Sequence, residues 1–253
     1  MKSGFERFST CMIDWAAHII SATNGADLEN ANKNMMSFLR GEPRDHYPVT
    51  PLGELEQVLM DIFYEFIEIR ETLEVIRDMR VYISRFPYSG TRIKRSRYLS
   101  HQIGIYLNEI YILRIRLTNL TKEIQNNISK SETRGTARPL VSPLFKAIKD
   151  SFAGIEKTRG NHVHIRRYSD DALSRISTFE SLSIGMEEAG ALSEFAYKKA
   201  RKDWRARLLQ NETTIDRFLD HYGNTLWKAL FAPGMMFDVS RIPKPIDTSA
   251  HRR

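Results

Sequence analysis

A single cysteine, Cys11, occurs among 253 residues. One thiol can build neither an internal disulfide framework nor a cysteine zinc site within the chain. That economy fits a reducing compartment. Long apolar runs are missing as well. The most apolar early stretch, CMIDWAAHIISA, is interrupted by Asp14 and His18. Nothing approaches the roughly 18 consecutive apolar residues of a membrane span, and the N-terminus has no secretory h-region. The expectation is a cytoplasmic protein with no membrane partner. Strand-like alternation, internal repeats, a phosphate-binding loop and a dinucleotide fingerprint are also lacking, which removes the common nucleotide-binding α/β classes.

What is present is an ordinary globular composition, with 42% hydrophobic and 27% charged residues. Its 38 basic side chains outnumber 31 acidic ones, for a formal charge of +7. That surplus favours polyanionic partners such as RNA, DNA or acidic protein.

Prolines and glycines are sparse, and helical periodicity fills the gaps between them. From Thr50-Pro51, a cap and a first helical position, apolar residues recur at spacings of three and four. They are Leu52, Leu55, Leu59, Ile62, Phe66, Ile69, Leu73, Ile76 and Ile83, with Arg80 interrupting. A second stripe comprises Ile103, Tyr106, Ile110, Leu113, Leu117, Leu120 and Ile124. The expected fold class is therefore all-α, a helical bundle built on a long antiparallel helical hairpin of about 51–86 and 94–129. Neither helix can bury its stripe on the other alone, so further helices must complete the bundle. KSETRGTARP (130–139) reads as a loop, and Ser142-Pro143 opens a helix with the stripe Phe145, Ile148, Phe152 and Ile155. Ser169 and two aspartates restart a helix near 170. Two more helices fit 186–209 and 212–231, split near Asn211. The expected organisation is an N-terminal helical extension (1–47), the bundle (48–232) and an extended tail (233–253).

Two basic clusters stand out. Arg92, Lys94, Arg95 and Arg97 lie at the start of the second long helix, where cations oppose the helix dipole. The other is TRGNHVHIRRY (158–168), which contains no acid. Its Arg159 and His162 continue the stripe that buried aromatics one turn earlier. His162-Val163-His164 would place two imidazoles on one face only in a strand, and no paired acid completes a metal site. Cys11 and His18 are two turns apart, too far for a nucleophile and its base. Neither a metal nor another cofactor is expected. Metal-free RNA scission fits the residue types better. It needs proton transfer, for which imidazole suits, and stabilisation of charge at phosphorus, for which guanidinium suits.

An all-α bundle with Arg159-Gly-Asn-His-Val-His164 at a helix end resembles the HEPN superfamily (higher eukaryotes and prokaryotes nucleotide-binding). The residues fit its Arg-x4-6-His pattern, and the resemblance covers about 50–232. It implies a metal-independent endoribonuclease acting as a homodimer, with the two motifs meeting at the interface. Many such families are toxins of toxin–antitoxin systems or anti-phage effectors, which implies an antitoxin or other regulatory protein as a partner. Arg159 would stabilise phosphate and His164 would transfer protons, with His162 a competing imidazole. The pattern often has Asn after its arginine. Here Gly160 holds that position and Asn161 follows it. Arg166, Arg167, Arg92, Lys94, Arg95 and Arg97 are the candidate RNA-binding residues. The other reading is a non-catalytic helical module that binds protein or nucleic acid.

Overall fold

The computed structural model describes residues 3–23, 36–37, 40–42, 51–88, 90, 92–164 and 170–238, without the side chains of 21–23 and 155–164. Six helices are present among them: α1 (Gly4–Thr23), α2 (Glu54–Ser84), α3 (Arg95–Lys130), α4 (Arg134–His164), α5 (Asp171–Leu182) and α6 (Glu187–Leu230). No strand occurs among the described residues, so the fold is all-α. None of these helices is long and apolar enough to cross a membrane.

The chain divides into two compact units that do not follow chain order. Unit 1 comprises 1–66, 122–142 and 220–253, and unit 2 comprises 67–121 and 143–219. Four helices thus contribute to both.

The second apolar stripe is buried throughout. Ile103, Tyr106, Ile110, Leu113, Leu117, Leu120 and Ile124 are all 2% exposed or less, and Leu99 and Ile128 extend the row. The first stripe holds from Leu59 to Ile76 and again at Ile83, but Leu55 is exposed. Met79 is buried in place of Arg80, whose guanidinium pairs with Glu212 at 3.2 Å. Helix α2 starts after Gly53, not at Pro51. The Gly53 carbonyl accepts from Gln57 N–H, and its own N–H donates to the Glu56 carboxylate at 2.9 Å. That is half of a capping box.

In unit 2, contacts between α2 and α3 change in sequence separation along the helices. The Tyr98 hydroxyl donates to the Tyr82 carbonyl, 16 residues away. The Arg116 guanidinium donates to the Glu68 carbonyl, 48 residues away, and also reaches the Thr72 hydroxyl.

Two further boundaries differ from the expectation. Helix α4 begins at Arg134 and passes through Pro139 and Pro143. Each proline removes one helical hydrogen bond, yet Ala137, Val141, Leu144, Ile148 and Phe152 are buried in a row. Burial of that face carries the helix across both prolines, and the stripe runs through Leu144 rather than Phe145. Helix α6 is continuous from Glu187 to Leu230, with no break at Asn211. The Asn211 amide donates to the Tyr106 hydroxyl at 3.0 Å. Glu212 faces Arg77 and Arg80, and Asp216 accepts from Arg77 at 3.0 Å. The polar groups that favour a break in isolation are thus engaged by α2 and α3. The restart near 170 is present, with Asp170 as the cap: its carboxylate accepts from Leu173 N–H at 2.9 Å.

Unit 1 joins the two chain ends. Phe8, Met12, Ala16 and Ile19 of α1 are buried, and Phe8 packs edge-on to Phe66 and Phe231. Residues 231–238 turn back on the end of α6. Phe237 is buried and its N–H donates to the Leu230 carbonyl at 2.8 Å. The Trp15 indole donates to the Phe237 carbonyl at 3.2 Å. Glycines permit the crossing of α1 and α6. A β-carbon on Gly223 would stand 2.5 Å from Phe5 Cα, and one on Gly4 would collide with the Asp220 carbonyl. Here glycine's lack of a side chain matters more than its backbone freedom.

Gly223→Ala should lower stability by about 1–3 kcal/mol, the usual cost of overpacking. Gly154→Ala, where a β-carbon meets nothing within 4 Å, should raise it by about 0.8 kcal/mol through helix propensity. Urea unfolding of both variants checks the pair, and equal effects would refute the close approach.

Candidate functional site

The basic cluster at the start of α3 separates into two roles. Arg95 is half-buried. Its guanidinium lies 5.9 Å from the Phe86 ring centre and 5.8 Å from that of Tyr197, and it pairs with Glu194 at 3.9 Å. Phe86, Tyr88, Tyr98 and Tyr197 form a chain of ring contacts, with centroids 5.5–6.1 Å apart. Arg95 is therefore a packing residue of this aromatic cluster. Burial pushes the Tyr197 and Tyr98 phenols above their ordinary range. The hydrogen bond and charge of Lys198, with Arg95 adding, hold the Glu194 carboxyl below its own. By contrast, Arg92, Lys94 and Arg97 are exposed and have no ion-pair partner among the described residues.

Lys94 and Arg97 line a groove of about 1600 Å³ in unit 2, between the first half of α3 and helix α5. Along α3 its wall includes Arg97, His101, Gly104, Ile105 and Asn108, spaced to share one helical face. Along α5 it includes Ser174, Ser177, Thr178 and Ser181, spaced three, one and three, again one face. Tyr88 stands at one end, and Glu109 is the one acid among its described lining residues. One cross-link holds the two walls together. The Glu180 carboxylate of α5 accepts from Ser96 N–H at 3.2 Å and also from the Ser96 hydroxyl. Ser96 is the second residue of α3, where backbone N–H groups have no partner within the helix. Glu180 thus caps α3 from another helix and sets negative charge against the positive end of its dipole.

Helix α5 is fixed at its other end by Asp170. Its carboxylate caps the helix and also accepts from the Trp204 indole at 3.2 Å and from Arg207 at 3.4 Å. The acid nearest in sequence to the Arg-His cluster is thus engaged by α6.

Of the second cluster, Arg159, Asn161, His162 and His164 lie on helical backbone in the last turns of α4. Their side chains lie outside the described residues, as do Arg166 and Arg167 entirely. His164 is six residues before Asp170, so the end of α4 lies at most about 22 Å from the start of α5. Among the described residues no group of three or more His, Cys, Asp or Glu could hold a metal ion. His101 and the hydroxyl row of α5 were not among the expected site residues. Serine and threonine on an exposed helix face leave no periodic signal in a sequence. No family model, no curated protein and no solved structure matches this chain.

Glu180→Ala should destabilise the chain by about 1 kcal/mol, as loss of a cap does. In a cycle with Ser96→Ala the two effects should fall short of additivity by at least about 0.5 kcal/mol. Additive effects would show that the cap does not act through Ser96.

Proposed function

We propose that the chain is a metal-independent endoribonuclease of the HEPN kind that cleaves RNA by internal 2′-hydroxyl attack. The supporting observation is that residues 159–164 end a long helix six residues before Asp170, the cap of the helix that forms one groove wall, with exposed cations on the other wall. Arg159 stabilises charge at the scissile phosphate. An imidazole moves the protons, His164 or the competing His162, with Asn161 an added polar donor. On a helical backbone Arg159 and His162 share a face at three residues' spacing, whereas His162 and His164 do not. One chain therefore offers a single well-placed imidazole per face, and cleavage needs both a base and an acid. A homodimer whose interface contains 155–168 supplies the second. Arg166 and Arg167 add phosphate contacts, and a toxin or anti-phage role with a regulatory protein partner follows the same resemblance.

One observation favours a second reading, a helical module that binds another protein. Large apolar side chains are exposed at the junction of α5 and α6: Ile184 at 85%, Phe195 at 69% and Met186 at 54%, with Leu182 and Leu192 close behind. Exposed apolar area concentrated in this way marks interaction surfaces.

Purified protein on mixed RNA in EDTA should cleave, and Arg159→Ala and His164→Ala should each abolish cleavage without altering the far-ultraviolet circular dichroism. Heterodimers of wild-type and His164→Ala chains should have much less than half the wild-type activity. Cleavage that requires added divalent metal, or survives both substitutions, defeats the mechanism and leaves the binding module.

A further inference from the structure

We infer that the groove between α3 and α5 is a binding track for single-stranded RNA, with Lys94, Arg97 and His101 on one wall and the hydroxyl row of α5 on the other. The choice of polymer rests on the function proposed above. The chemistry of the track stands on its own observations.

The first is size. About 1600 Å³ exceeds the roughly 300–1,000 Å³ of small-molecule pockets, and the wall from Lys94 to Glu109 runs about 22 Å at 1.5 Å per residue. That suits a short stretch of polymer. The second is charge. Lys94 and Arg97 are exposed without an ion-pair partner among the described residues, although carboxylates are common elsewhere on the surface. Arg95, two residues from Arg97, pairs with Glu194. Cations without carboxylate partners are available to phosphate. The third is the opposite wall. Ser174, Ser177, Thr178 and Ser181 project no charge into the groove. The Thr178 and Ser181 hydroxyls donate to the carbonyls of Ser174 and Ser177, at 3.0 and 2.9 Å. Rotation about χ1 exchanges such a bond for a phosphate oxygen, and hydroxyls serve widely as phosphate and sugar contacts. The fourth is aromatic surface. Tyr88 stands at the end of the groove against Phe86 and Tyr98, a platform on which a base can stack. The Glu180–Ser96 bonds tie the walls together at the same end.

The probe is a fluorescein-labelled single-stranded 2′-O-methyl RNA, which cannot be cleaved by internal attack. Binding to the full chain is read by anisotropy across a salt series. Arg97→Glu and Thr178→Glu should each weaken binding at least tenfold, and the log–log salt slope should fall by about 0.7 for each phosphate that is no longer neutralised. Ser177→Arg should tighten binding, a gain that a misfolded variant cannot give. Wild-type affinity in all three groove variants would overturn the track and leave the cleavage proposal untouched. Groove-dependent binding by a chain that cleaves no RNA would uphold the track and remove the cleavage. Tighter binding of duplex RNA, or no binding of either, would overturn it.

Discussion

Helix α3 presents one residue in every three or four to a water-free environment, from Leu99 to Ile128. Each large aliphatic side chain buried in this way contributes about 1.5–3 kcal/mol, so no other helix can take a position that uncovers the row. The remaining helices are arranged by that demand. Helix α2 is tied to α3 by the Tyr82–Tyr98 and Glu68–Arg116 hydrogen bonds, and α6 reaches Tyr106 through Asn211. The Tyr106 ring is buried, and burial pushes its phenol above its ordinary range. The hydroxyl is accordingly held as a neutral hydrogen-bonding group inside the stripe, and Asn211 satisfies it.

The two long stripes were legible because a helical period survives in apolar residues regardless of what covers them. Helix ends and continuities were less so. Pro139 reads as loop and Pro143 as a helix start because the cost of a proline is local, whereas the gain from Ala137, Val141 and Leu144 comes from distant partners. Gln210-Asn211-Glu212-Thr213 reads as a break for the same reason. Its side chains favour caps in isolation, and only the presence of Tyr106, Arg77 and Arg80 makes a continuous helix better. Tertiary partners decided these positions, and local propensity could not register them.

The candidate site divides along similar lines. The basic cluster of 92–97 was visible as charge, but charge does not reveal which cation is engaged. Arg95 is held by two rings and an acid, while Lys94 and Arg97 face the groove. The hydroxyl wall of α5 was invisible, since serine and threonine are the ordinary filling of any exposed helix. The Arg159–His164 segment was the most conspicuous feature of the sequence. Its helical backbone is described and its side chains are not, so spacing and position along the chain are what place Arg159 and His164.

Unit 1 is assembled from both ends of the chain. Trp15 and Phe237, which share a hydrogen bond, are 222 residues apart, and Gly4 and Asp220 are 216 apart. During synthesis at about 5–20 residues per second, α1 emerges long before its partner on α6 exists. Phe8 can meet Phe66 early, but its contact with Phe231 and the Trp15–Phe237 bond wait roughly ten to forty seconds. A nascent chain in that interval carries an amphipathic helix with part of its apolar face open. Completion of the protein is governed less by how fast its helices form than by how long its first helix can wait.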